Sequence, residues 1–192
     1  MGNHYRTLVV QDVSAGEAEG LAARGLHWFV SGGVVRAERS EDCVFFARYG
    51  HPPGPEWSRA VAEARWRAGG GVAVHVGRTL FHGCPFSCAY AVCPNCAART
   101  RFLTPGGEAV EGAFDPFAAS LRAWERTGAA TADCGACGRA GDLTAWGWDG
   151  DFFALGHLGF AFWDWPELAP DFLAAFAEVL GGRRFAHVAG KL

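Results

Sequence analysis

Lysine is almost missing from this chain. Of its 17 basic residues, Lys191 is the one lysine and the rest are arginine. Alongside so much alanine and glycine, that bias reads as the imprint of a GC-rich bacterial genome rather than as a binding signal. Excess positive charge is missing too. The formal net charge is −3, so there is no bulk attraction to a phosphate backbone. No apolar run reaches the ~18 residues of a membrane span, so no membrane partner is expected. The opening MGNHYRTLVV has no basic stretch leading into a long apolar one, as a signal peptide would. Arg6 stands where a myristoylation signal wants Ser or Thr, and a cytoplasmic location is expected. No G-x-S-x-G, Walker loop, H-E-x-x-H or G-x-G-x-x-G occurs. The chain therefore carries none of these hydrolase, phosphate-binding, zinc-protease or dinucleotide signatures.

What is present is apolar and aromatic. Half of the 192 residues are hydrophobic and 14% aromatic, which excludes a disordered chain. This length suits one domain, or one domain with a small insertion, and can bury a real core. Tyr5 to Val13 reads as a strand. Ser14 and Glu17 then form a capping-box pattern, and Ala18, Leu21, Ala22, Trp28 and Phe29 share one face of the helix that follows, up to Gly32-Gly33. VVRAE and DCVFFAR read as two short strands. A second helix is predicted from Pro55, with Trp57, Ala60, Val61 and Ala64 inward, ending at Gly69-Gly70-Gly71. GVAVHV, Gly71 to Val76, reads as a strand, giving β-α-β-β-α-β over the first 77 residues.

Towards the other end, DFFALGHLGFAFWDW reads as a long strand or a hairpin. Phe152, Leu158, Phe160 and Phe162 fall on one side, with Phe153, Leu155, His157, Trp163 and Trp165 on the other. Apolar residues on both sides predict a central strand covered twice. PELAPDFLAAFAEVLGG reads as a helix with Phe172, Leu173, Phe176, Val179 and Leu180 inward, and RRFAHVAG as a last strand. The segment 81–147 differs in character: it holds six of the seven cysteines and one clear helix. Asp115 is placed there as N-cap, Pro116 at the first helical position, and Phe117, Leu121 and Trp124 along one face. The expected fold class is α+β: a mixed sheet with three to four helices (residues 1–80 and 148–192) and an insertion at 81–147.

The chemistry sits in that insertion. Cys93-Pro-Asn-Cys96 and Cys134-Gly-Ala-Cys137 form a C-x2-C-x37-C-x2-C pattern. Each C-x-x-C turn can offer two thiolates to one edge of a tetrahedron, and two turns together complete four-coordinate zinc. The small residues behind them, Ala97 and Gly138, suit a tight turn. CPNCA and CGACG resemble the two knuckles of a zinc ribbon. That resemblance implies a structural zinc held by Cys93, Cys96, Cys134 and Cys137. The gap of 37 residues exceeds the roughly 15–20 of a plain ribbon, and the Asp115 helix falls inside it. Iron accepts the same four thiolates. A redox role for CPNC is the weaker alternative, because AARTRFLTPGG after it makes a poor helix.

His82, Cys84 and Cys88 are left over. Three such ligands would leave one position open, as in catalytic zinc, and so define an alternative: a small metal-dependent enzyme, with His157 as a possible helper. The bland reading is a loop with idle thiols. Cys43 reads as a core residue, His157 as a hydrogen-bonded core histidine, His51 as an ordinary loop histidine, and Asp149 and Asp151 as a turn. A nucleic-acid-binding ribbon is a further alternative. From Cys84 to Ala145, five arginines face six acids, and Arg99 and Arg101 have no basic stripe around them. The leading expectation is a zinc-binding, non-catalytic accessory or regulatory protein, such as a toxin-neutralising one, that docks a protein partner through an acidic, tryptophan-rich surface.

Overall fold

The computed structural model describes residues 3–64 and 66–192. Nine strands and three α-helices are described: β1 His4–Val10, α1 Ala15–Ser31, β2 Val72–His82, β3 Tyr90–Val92, β4 Arg99–Arg101, α2 Asp115–Thr127, β5 Thr131–Asp133, β6 Ala140–Asp142, β7 Gly147–Trp148, β8 Phe153–Trp163, α3 Pro170–Val179 and β9 Phe185–Lys191. The fold is α+β. Its main sheet has the order β2-β8-β1-β9, and its strand pairs are antiparallel. Mixed character is confined to one parallel bridge at the rim, Cys84 to Gly190.

β8 lies inside this sheet, flanked by β2 and β1. Leu158, Phe160 and Phe162 point to the face covered by α1 and α3, where they join Leu8, Val10, Phe29 and Phe176 in one buried cluster. Phe29 is the centre of that cluster, with ring centroids 4.5–5.8 Å from Phe176, Phe160, Phe162 and Phe172. Burying each such ring is worth roughly 1.5–3 kcal/mol. Helix α1 begins as the pattern predicts: the Glu17 carboxylate accepts hydrogen bonds from the Ser14 N–H at 3.0 Å and from its hydroxyl at 2.6 Å. Gly25 sits where α1 crosses the sheet. A Cβ there would lie 2.7 Å from Phe160 Cζ, so a missing side chain sets the closeness of helix and strand.

Several expectations fail in the first half. VVRAE and DCVFFAR do not form strands; Val35 makes an isolated bridge to Pro53, and Ser40, between the two stretches, makes one to Gly50. Phe46 takes a left-handed φ of 55°, which breaks any extended run through that stretch. The second helix shrinks to a 3-10 turn, Trp57–Ala60. Beyond it the chain pairs with the segment after β8: Val61 bridges Leu168, the Ala62 N–H donates to the Glu167 carbonyl at 2.8 Å, and the Ala169 N–H donates to the Ala60 carbonyl at 2.9 Å. These long-range bonds outweigh a local helical preference. Arg65, part of that predicted helix, lies outside the described residues. The β-α-β-β-α-β order is therefore β-α-loop-β.

β2 runs further than expected, with a register shift between Val76 and Thr79 at Gly77, whose φ is 110°. This bulge puts Arg78 at the end of α2, where its guanidinium reaches the Glu125 carbonyl at 3.4 Å and lies against Gly128. A cation there complements the helix dipole. The predicted faces of the long strand also need one correction. Trp165 joins Phe162, at 5.3 Å, instead of Trp163. Asp164 takes a positive φ of 53° just before it, which ends the alternation. Phe152 precedes β8 and packs with Phe153 in a second cluster.

Between His82 and Phe153 the chain leaves the main sheet and builds that second core. Phe102, Phe117, Leu121, Trp124, Trp146 and Trp148 surround Cys88, Cys93 and Cys134 there. Strands β4-β3-β7 form one small sheet and β5-β6 another. Two carboxylates brace this segment, one within it and one to β9. The Asp149 carboxylate accepts the Ala89 N–H at 3.1 Å, and the Asp151 carboxylate accepts the His187 N–H at 3.0 Å. Among the described residues no helix is long and apolar enough to cross a membrane.

Two glycines of α1 separate helix propensity from packing. Gly20→Ala, with nothing within 4 Å of the added carbon, is expected to stabilise the protein by about 0.5–1 kcal/mol. Gly25→Ala is expected to destabilise it by about 1–3 kcal/mol. Urea unfolding of the two variants checks the opposite signs.

Candidate metal centre

Each C-x-x-C turn is the tip of a hairpin. Cys93 to Ala98 joins β3 to β4, and Cys134 to Arg139 joins β5 to β6. The two tips repeat one hydrogen-bond pattern. The Ala97 N–H donates to the Cys93 carbonyl at 2.9 Å, and the Cys93 N–H to the Ala98 carbonyl at 2.9 Å. The Gly138 N–H donates to the Cys134 carbonyl at 2.8 Å, and the Cys134 N–H to the Arg139 carbonyl at 3.1 Å. Both turns close through a left-handed residue, Ala97 at φ 58° and Gly138 at φ 67°. The second position costs nothing because it is glycine.

The tips meet. The sulfurs of Cys93, Cys96, Cys134 and Cys137 all lie within 4.8 Å of one another. A thiolate tetrahedron with bonds of about 2.3 Å has edges of about 3.8 Å, and the Cys96 and Cys134 sulfurs are 3.7 Å apart. Cys93 and Cys134 are buried while Cys96 is exposed, so the cluster lies at the edge of the second core. Its electrostatics favour a cation. N–H groups of Cys137 and Ala136 aim at Cys134 and pull its thiol down to about 7. At Cys96 the Ala98 N–H favours the thiolate, but desolvation and protons shared with Cys137, Cys134 and Cys93 push the thiol up. Four sulfurs this close cannot all ionise without positive charge between them. The cluster is thus able to bind a metal ion such as zinc.

Three supporting residues were invisible as such in the sequence. The Asn95 amide donates to the Ala140 carbonyl at 3.1 Å and ties the first tip to the second hairpin, while its own N–H points at the Cys93 sulfur at 3.3 Å. Gly141 leaves room for Pro94, which an added Cβ would approach to 2.8 Å. Trp146 closes the gap, its indole N–H 3.4 Å from the Gly141 carbonyl. The one available signal was Asn inside CPNC, a residue suited to bonding its own turn.

The alternative site does not assemble. Among the described residues, the four knuckle cysteines are the one cluster of metal-binding size, and His82, Cys84 and Cys88 form none. Cys88 is fully buried in the second core, its thiol directed at the Tyr90 carbonyl at 3.5 Å. Burial pushes that thiol up to about 11, which suits a core residue and not a nucleophile. His82 and Cys84 instead line a cavity on the open face of the main sheet. His157 is half-buried beside Trp124, at 6.3 Å, and its Nδ1 has no hydrogen-bond partner among the described residues. It is not the hydrogen-bonded core histidine expected. His51 is buried and bonds the Arg36 carbonyl at 2.9 Å. Arg99 lies over the Tyr90 ring at 4.4 Å.

The tryptophans also fall elsewhere than expected. Trp124, Trp146, Trp148, Trp163 and Trp165 are all buried, because the largest apolar side chains gain most from filling the two cores. Trp66, at 55%, is the strongly exposed one among the described residues. No protein-family model matches the chain, and no curated protein or solved structure matches it either.

Cys88 gives a direct check of this placement. At pH 8 iodoacetamide is expected to leave Cys88 unmodified in the folded protein and to label it in urea, as read by peptide mass spectrometry. A solvent-facing ligand loop would label in both.

Proposed function

We propose that this is a zinc-binding protein in which Cys93, Cys96, Cys134 and Cys137 hold one structural zinc, and that it works by binding a protein partner rather than by catalysis. The single observation that supports this is the meeting of four sulfurs within 4.8 Å. Four thiolates occupy every position of a tetrahedral ion and leave none for substrate. In this reading residues 81–147 are an insertion closed by the metal: its hairpins are short, and the ion supplies the link that three-residue strands lack. The role is that of a cytoplasmic accessory or regulatory protein, for instance a toxin-neutralising one. Its contact surface centres on Trp66, in a depression that Arg6, Glu63 and Glu167 also line. An exposed tryptophan is a common anchor of a protein-binding hot spot.

Elemental analysis is expected to find one zinc per chain, lost in Cys93→Ser and in Cys134→Ser together with near-ultraviolet signals from the Trp146–Trp148 core. Iron in place of zinc, or a second metal removed by Cys84→Ser, would overturn the metal reading. Affinity capture from a lysate of the source bacterium is expected to retain a partner that Trp66→Ala loses while keeping its circular dichroism. Equal retention by Trp66→Ala would overturn the contact surface.

A further inference from the structure

On the face of the main sheet away from α1 and α3, the strands carry Tyr5, Thr7, His75, Ala161, Trp163 and Val188 around a cavity of about 320 Å³. The walls are mostly rings. Tyr5 and Phe45 each lie 5.2 Å from Trp163, Phe46 lies 6.1 Å from it, and His75 meets Phe81 edge-on at 5.8 Å. Three features separate this place from ordinary core. Phe46 and Phe45 stand at its mouth 82% and 44% exposed, an unfavourable setting for two adjacent phenyl groups. Phe46 holds the left-handed φ noted above, which costs a residue with a bulky side chain about 1 kcal/mol or more. And the large Trp163 ring forms part of the wall, its indole N–H shielded from the cavity and without a partner among the described residues.

The lining also says what would fit. No Lys, Arg, Asp or Glu is among its described residues, so a charged ligand would enter without a counter-ion. Burial keeps the Tyr5 hydroxyl protonated, with Cys84 adding to the effect, and that hydroxyl already donates to the His82 carbonyl at 2.7 Å. Burial likewise holds His75 neutral. A cavity of about 150 Å³ accepts one benzene ring, so this one has room for two fused rings. We propose that the cavity is a binding site for a neutral, flat, two-ring aromatic molecule packed against the Trp163 ring, between the Phe45–Phe46 lip and the sheet. The site is separate from the four-cysteine centre and from Trp66, so it stands or falls independently of both.

Isothermal titration of the full-length, metal-replete protein tests it, with coumarin and quinoxaline as neutral two-ring probes. At least one is expected to bind one per chain, with Kd below about 1 mM, a modest affinity for a ligand of this size. Coumarin-3-carboxylate, the same ring system with a negative charge, is expected to bind at least tenfold more weakly than coumarin. Trp163→Phe trims the ring that forms the wall and is expected to weaken binding several-fold. Phe46→Ser, at an exposed position, is expected to weaken binding several-fold and covers the case in which Trp163→Phe fails to fold. Absence of binding by both neutral probes, equal binding of the carboxylate, or unchanged affinity in the folded variants would overturn the proposal.

Discussion

The structure depends on β8 being buried from both sides. An eleven-residue strand that is apolar on two faces cannot lie at an edge or against water; it needs a paired strand on each side and a layer above and below. β2 and β1 supply the pairing, and α1 and α3 supply one layer through Phe29, Phe172 and Phe176. Close approach matters as much as apolarity. Gly159 lets the Phe81 ring lie over the strand, where a Cβ would come to 2.6 Å from it, and Gly25 does the same for Phe160 from the helix side. Interiors pack at crystal-like density, so these missing side chains are part of the fit.

The same strand connects the two halves of the molecule. Phe153 begins β8 and belongs to the core that encloses the cysteine hairpins, while Phe160 and Phe162 belong to the core under the helices. Around this joint, Asp149 and Asp151 hold backbone N–H groups of Ala89 and His187, and Arg78 of β2 reaches the end of α2. The hairpin tips are therefore presented by a base anchored to the main sheet. Their four sulfurs are crowded enough that a cation between them relieves repulsion instead of merely adding a contact.

The second face of the sheet is covered unevenly. Near Leu80 and Leu155 it packs into the core of the cysteine segment. Towards Tyr5 and Trp163 the cover thins to the Phe45–Phe46 stretch and leaves the aromatic cavity. That contrast follows from the loop between Gly33 and Gly71. Its end, Val61 and Ala62, pairs with Leu168 and Glu167, while its middle lays Phe45 and Phe46 against Trp163 without forming a strand.

Much of this was legible in the residues themselves. Ser14 with Glu17 marks the start of α1, Gly181-Gly182 the end of α3, and the two-sided apolar run the central strand, because each is a local signal read at a spacing of a few residues. Cys93, Cys96, Cys134 and Cys137 likewise declare a four-thiolate pattern from spacing alone. What the sequence could not decide was anything set by distant partners. Trp57 to Ala64 has helical periodicity, yet after one 3-10 turn Ala60, Val61 and Ala62 pair with residues more than a hundred positions away. His82, Cys84 and Cys88 are close in sequence, but burial of Cys88 beneath Tyr90 sends one thiol into a core and leaves the others facing a cavity. The tryptophans looked like a binding surface and became core, with Trp163 lining a cavity. Local chemistry determined the helix ends, the central strand and the paired cysteines. Tertiary packing alone decided which apolar residues lie inside, because burial depends on what the rest of the chain brings against each side chain.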